Sequence, residues 1–243
     1  MIQLFTLPLA ALAEGEATKT LSGGQMALFV LGVLLSAAIG YFLGSVNTAI
    51  LYSKIRCKED IRDYGSGNAG MTNMLRTYGK AAAAVTLAGD MLKAVIAVLI
   101  ARVIGAYIIP GHEFVEFASY TAAFFSVAGH CFPVYHKFRG GKGVATAAGA
   151  MLILSPLTFL ICVVIFALLV LATRYVSLGS VVTALMYPLI LYRIVGRPGI
   201  YLFFALAIGL LVVFRHKENI KRLRDGKEKK ISIGKKKDDS DGK

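Results

Sequence analysis

Apolar runs of membrane-spanning length recur along this chain, separated by short polar segments crowded with glycine, lysine and arginine. A helix of about 20 apolar residues crosses the hydrocarbon core while keeping its backbone hydrogen bonds within its own segment. With 243 residues, 56% of them hydrophobic, and a mean hydropathy of +0.66, the chain is too apolar for an ordinary soluble domain. It reads as an all-α integral membrane protein.

Measured against that length, spans are expected at 26–52, 81–109 and 117–135. The run from 144 to 173 is too long for one span, and Ser155-Pro156 divides it into a short helix up to Leu154 and a full one over 156–173. Two more are expected at 178–195 and 199–214, on either side of the turn Gly196-Arg197-Pro198-Gly199. The total is seven transmembrane helices.

The formal net charge of +13 is not spread evenly. Lysine and arginine gather at 54–80, at 137–142 and from 215 onward, which places those regions on the cytoplasmic side under the positive-inside rule. An odd number of spans then puts the N-terminus outside, the C-terminus in the cytoplasm and every glycine-rich loop on the cytoplasmic face. Arg193 and Arg197 on the outside are exceptions to the rule. Three regions follow: an external N-terminal extension over 1–25, apolar at its start but without a basic n-region; a seven-span domain over 26–223; and a lysine-rich cytoplasmic tail over 224–243. The tail's Lys235-Lys236-Lys237 suits anionic membrane lipids rather than nucleic acid. Cys57, Cys131 and Cys162 form no CxxC pair and read as reduced structural residues.

The chemistry gathers in three polar clusters. In Gly65-Ser66-Gly67-Asn68-Ala69-Gly70-Met71-Thr72-Asn73, glycines let the backbone approach an oxyanion, and Ser66, Asn68, Thr72, Asn73 and Arg76 add hydrogen-bonding groups suited to phosphate. The plain alternative is a flexible loop. The letters also match GxGxxG, but that fingerprint works between a strand and a helix, which this context lacks. The second cluster, Gly140-Gly141-Lys142-Gly143, sets a cation and free N–H groups at the start of a helix. His136 stands where a P-loop needs its first glycine, so this is no P-loop NTPase, and the alternative is a tight inter-helix turn. In the third, Arg215-His216-Lys217-Glu218-Asn219, His216 and Asn219 share one helix face. Arg215, Lys217, Lys221 and Arg222 would help hold a dianion.

Asp90 and Lys93 lie three apart inside a span, where ionisable residues are functional candidates by default. With no third carboxylate nearby they read as a helix-to-loop brace. His130 suits a buried hydrogen bond to a neighbouring helix as well as it suits catalysis. No acidic cluster suits a divalent metal, and no histidine has an aspartate five positions later as in the common glycerolipid acyltransferases.

The stretches GSGNAGMTNMLR, GHCFPVYHKFRGGKGVATAAG and RHKENIKRL resemble, in order and spacing, the three motifs of the bacterial acyl-phosphate:glycerol-3-phosphate acyltransferases, over about residues 44–223. The resemblance implies a seven-span inner-membrane enzyme, and no cofactor or metal is expected. Its substrates would be acyl phosphate and glycerol 3-phosphate, and its product 1-acylglycerol 3-phosphate, the first acylated precursor of phospholipids. By that likeness Ser66, Arg76 and Lys142 hold phosphate, and His216 and Asn219 position glycerol 3-phosphate. Gly65, Gly67, Asn68, Gly70, Thr72, Asn73, Gly140, Gly141 and Gly143 match as phosphate-binding positions. Met71 departs from the family's usual alanine. The enzyme that makes acyl phosphate is a candidate partner, and the acyl chain would enter sideways from the bilayer. The competing classes are a transporter of an anionic phosphorylated metabolite, for which no internal repeat is found, a lipid phosphatase and a membrane scaffold.

Overall fold

The computed structural model of the chain describes residues 22–108, 112–196 and 199–231, and among these the regular structure is entirely helical. Most of the expected extension over 1–25 and residues 232–243 of the expected tail lie outside the described residues, as do Arg197 and Pro198. Helix α1 (Gly23–Ser45) is opened by Ser22, whose hydroxyl accepts the Gln25 N–H while the Gln25 side chain accepts the Ser22 N–H. Residues 23–25 therefore belong to the first helix, not to the extension.

The first span is not one helix to residue 52. It stops at Ser45, the chain runs extended through Val46 and Asn47, and α2 (Thr48–Tyr52) begins afresh. Asn47 makes the break by accepting the Ile50 N–H at 3.0 Å as an N-cap, while its amide donates to the Ala69 carbonyl at 3.3 Å. A π-helical turn, Ser53–Cys57, follows. Next come α3 (Met71–Tyr78), α4 (Lys80–Ile108) and α5 (His112–Cys131). The third span thus starts and ends earlier than expected, because Pro133 cannot continue the helix and Val134–His136 forms a 3₁₀ turn instead.

Ser155 separates α6 (Val144–Leu154) from α7 (Pro156–Thr173), as the sequence indicates, with Pro156 at the first helical position, where its missing N–H costs nothing. The chain continues through α8 (Val176–Val195), α9 (Ile200–Arg215) and α10 (Lys217–Arg224). Gly23–Cys57, α4, α7 and α8 are each long and apolar enough to cross a bilayer, and α9 with α10, bent by 58°, makes a fifth such segment. At 11 residues α6 is only about 16 Å long, roughly half the hydrocarbon thickness.

The tightest helix pair is α1 with α5. The buried face of α1 carries Gly32, Ser36, Gly40 and Gly44, one small residue every fourth position. A Cβ on Gly40 would stand 2.5 Å from the Ala122 carbonyl oxygen and one on Gly44 2.2 Å from that of Ser126. Such small-residue stripes let helix backbones touch in lipid, where no hydrophobic effect drives helices together. The apolar core lies elsewhere, between α4, α5, α6, α8 and α9, around Tyr120, Val127, Met151 and Leu191.

Candidate active site

The first glycine-rich segment is held from beneath by Asn73. Its Oδ1 accepts the Ser66 N–H at 2.9 Å, and its Nδ2 donates to the carbonyls of Tyr64 at 3.0 Å and Ile61 at 3.3 Å. The side chain is buried and committed to shaping the loop, whereas Ser66 is exposed at its surface. Thr72 and Asn73 lie in the first turn of α3, not in a loop. Arg62 grips Asp60 through two bonds of 2.9 and 2.7 Å and donates to the carbonyls of His136 and Arg139 at 3.1 and 3.3 Å. The first and second glycine segments are thereby fastened together. Hydrogen bonding from Arg62 holds the Asp60 carboxyl down at about 2, so the clamp is ionised at neutral pH.

The second segment turns against α5 with no room for side chains. The Gly141 N–H donates to the His130 carbonyl at 3.1 Å, and a Cβ there would meet the His130 Nε2 at 2.1 Å and the Ala69 oxygen at 2.6 Å. Arg215, stacked 5.1 Å over Phe132, donates to the carbonyls of Gly141 and Gly140 at 3.1 and 3.2 Å. Gly143, at φ 82°, then starts α6 from the left-handed region that favours glycine, and no side chain caps that helix. Its first N–H groups are free for an anion.

Beneath this turn lies a buried trio. The Lys93 ammonium stands 2.9 Å from the Asp90 carboxylate and 2.9 Å from the His130 Nδ1, and donates to the Val46 carbonyl at 2.7 Å. Asp90 also accepts from the Thr48 hydroxyl at 3.2 Å. The pair thus braces α4 against the α1–α2 break, as the sequence suggested, and His130 ties α5 to it.

In the third cluster the Lys142 ammonium donates to the Asn219 amide oxygen. The His216 Nδ1 lies 2.7 Å from the Val212 carbonyl, which accepts its proton and leaves Nε2 as an acceptor. Burial pushes the imidazole down to about 4 and the half-buried Lys142 ammonium down to about 8. The chain does not leave the site after α10. Ile231 donates to the Arg174 carbonyl at 2.8 Å and the Arg76 guanidinium to the Lys229 carbonyl at 3.0 Å, so residues 225–231 fold back across it. This segment brings in Glu228, which no motif singled out. Its carboxylate accepts from Ser177 at 2.8 Å, Asn219 at 2.7 Å and Arg222 at 2.7 Å.

These segments surround the mouth of one cavity of about 840 Å³. Of the residues singled out from sequence, Gly65, Ser66, Asn68, Gly70, Thr72, Asn73, Arg76, Asp90, His130, Lys142, Gly143, His216, Asn219 and Arg222 line it, and so does Met71. Gly67, Gly140 and Gly141 do not; the last two pack behind it. Below the mouth the wall is mainly apolar, with Met91 from α4, Met151 from α6, Phe159 and Phe166 from α7, Tyr187 from α8 and Ile208 from α9, broken by Asp90, His130, Ser180 and Thr183. The cavity therefore pairs a cationic entrance with an oily sleeve, which suits a phosphorylated headgroup joined to a long alkyl chain.

Comparison with known proteins agrees with this geometry. A family model described as glycerol-3-phosphate acyltransferase matches residues 34–226. The chain is similar to the glycerol-3-phosphate acyltransferase of Clostridioides difficile (strain 630), 43% identical over 206 residues, covering 83% of this chain and 97% of that one. It is likewise 40% identical over 196 residues to that of Neisseria meningitidis serogroup C, covering 81% and 96%. Among solved structures it resembles PlsY (YgiH), an integral membrane glycerol 3-phosphate acyltransferase, in its glycerol 3-phosphate form. The TM-score is 0.73 at 36% identity, covering 82% of this chain and 96% of that one. The lysophosphatidic acid form of the same enzyme matches with a TM-score of 0.70 at 35% identity.

Proposed function

The chain belongs to the glycerol-3-phosphate acyltransferase family, and we propose on that premise that its acyl donor is acyl phosphate. The reaction moves the acyl group to the C1 hydroxyl of sn-glycerol 3-phosphate, giving 1-acylglycerol 3-phosphate and inorganic phosphate, the first step of phospholipid synthesis. The observation that carries this reading is the joining of two clusters of polar groups, one around Ser66 and Arg76 and one around Lys142 and His216, to a single apolar sleeve.

Acyl phosphate is a mixed anhydride with a good leaving group, so orientation and charge balance suffice without a covalent nucleophile. The C1 oxygen attacks the acyl carbonyl carbon, the new ester C–O bond forms, the bond from the acyl carbon to the phosphate oxygen breaks, and phosphate departs with the electron pair. Ser66, Arg76, Lys142 and the unpartnered N–H groups at the start of α6 balance the charge on that phosphate. Asn68, Gly65, Gly70 and Thr72 complete its cradle, while Asn73 and Gly140 and Gly141 act by holding the two turns in place. His216 is neutral at neutral pH and too weak a base to take the hydroxyl proton efficiently. A substrate phosphate, with its second pKa at about 6, is the better acceptor. His216 instead accepts a hydrogen bond through Nε2 and, with Asn219, orients the glycerol unit.

Seven crossings with the site facing the cytoplasm of the bacterial inner membrane accord with the placement of the polar ends. Residues 62–76, 136–142, 174–177 and 215–231 contact one another, which supports a reading in which they share one side of the bilayer, with α1 leading to it and the pairs α4–α5, α6–α7 and α8–α9 each going out and back, the short α6 reaching only part of the way.

The test is turnover by purified protein in lipid with glycerol 3-phosphate and palmitoyl phosphate in EDTA, beside palmitoyl-CoA and beside Lys142→Ala. Product from the acyl phosphate alone, lost in the variant, is expected. No product from any donor would favour the reading as a transporter of an anionic metabolite.

A further inference from the structure

We propose that Glu228 is a positioning residue for the transfer, holding Lys142 through Asn219 as an oriented cation. The inference rests on the acyl-transfer reading above. An asparagine amide has a donor end and an acceptor end, and its other partner decides which end faces a given neighbour. Ionised Glu228 only accepts, so it takes the Asn219 Nδ2 at 2.7 Å and obliges Oδ1 to face the Lys142 ammonium. Reversed, the amide would point its NH₂ group at a cation. The carboxylate is itself immobilised, its side chain 6% exposed, with Oε1 shared by Ser177 and Asn219 and Oε2 taken by Arg222 at 2.7 Å.

Electrostatics points the same way. Facing Lys142 are Arg76 from α3, Arg215 from α9, Arg222 from α10 and the neutral His216 at the α9–α10 junction, with Glu228 the carboxylate that favours its charged form. Burial and three guanidiniums lower the Lys142 pKa, and Glu228 opposes them. Removing that carboxylate leaves a lysine that loses its proton more readily and an amide free to turn.

The experiment compares wild type, Glu228→Gln, Glu228→Asp and Asp225→Asn in lipid, reading kcat/KM against pH, glycerol 3-phosphate binding by calorimetry against pH, and thermal unfolding. Glu228→Gln is expected to lose about tenfold in kcat/KM at neutral pH and to move the high-pH limb down by about one unit. Glu228→Asp should restore part of that shift, and Asp225→Asn, which removes an equal charge paired with exposed Arg224, should leave the profile at wild type. A Glu228→Gln limb at the wild-type position overturns the proposal. So does faster transfer with tighter glycerol 3-phosphate binding, which would make Glu228 a competitor for the cations. If Glu228→Gln does not fold, Ser177→Ala, which removes one of the carboxylate's donors and so loosens its hold on Asn219, should move the limb in the same direction, and an unmoved limb again overturns it. Should wild type itself show no transfer from acyl phosphate, the donor reading fails separately, and the pH dependence of glycerol 3-phosphate binding still tests the role of Glu228.

Discussion

Lys142 and Asn219, 77 residues apart in sequence, meet by a hydrogen bond that joins the turn before α6 to the first turn of α10. The contact places the ammonium where two independent stretches of chain agree on its position. Replacement by methionine should lower kcat/KM by about 10²- to 10³-fold, the usual cost of removing a group aimed at developing charge. Arginine should restore little, since its planar fork does not occupy the place of a point charge. Because the ammonium sits at about 8, activity that depends on its charge is present below that value and falls as pH rises through it. Initial rates from neutral to alkaline pH measure this.

His216 carries the opposite sign of pH dependence. Its pKa is depressed from 6.5 to about 4 by burial, so its neutral form stabilises the fold fully above 6.5, and that contribution drains away as pH falls toward 4. His216→Gln should keep turnover within about tenfold of wild type at neutral pH and flatten the acid loss of stability, while His216→Ala should lose more activity. Wild-type dependence on an imidazole base would instead show as equal collapse of both variants.

Gly44→Leu should cost about 1–3 kcal/mol of stability, because the side chain would be driven into the backbone of α5 at Ser126. Gly24→Ala, with no atom within 4 Å of its would-be Cβ, should be neutral or slightly stabilising. Unfolding curves in detergent compare the two.

Lys93→Met and Asp90→Asn should each cost several kcal/mol, since either leaves a buried polar partner uncompensated. The double replacement should cost less than the sum of the two. A thermodynamic cycle on unfolding checks the coupling, and additivity would mean that the brace is not a unit.

The all-helical membrane class and the division at Ser155-Pro156 were legible because bilayer thickness and proline chemistry leave few choices. The break at Val46-Asn47 was not, since Asn47 acts as a cap only once Ala69 and Lys93 have come near. The small-residue stripe from Gly32 to Gly44 is visible as a four-residue period, yet it lies within a run whose hydrophobicity dominates the reading. At the site, composition marked which loops mattered but not which atoms face the cavity. Asn73 looks like Asn68 in sequence, but three backbone partners turn it inward. Glu228 had no local signal at all. It sits among lysines after the last helix, and only the fold-back of 225–231 gives it partners.

Among the described residues, α1 places no side chain on the cavity wall and α5 places only His130 there. The close-packed pair is thus a keel, and the sleeve that would measure a fatty chain belongs to other helices. Selection can then retailor α6 to α9 for membranes of different fluidity, exchanging one methylene for another along the wall, while the part that keeps the molecule upright stays untouched.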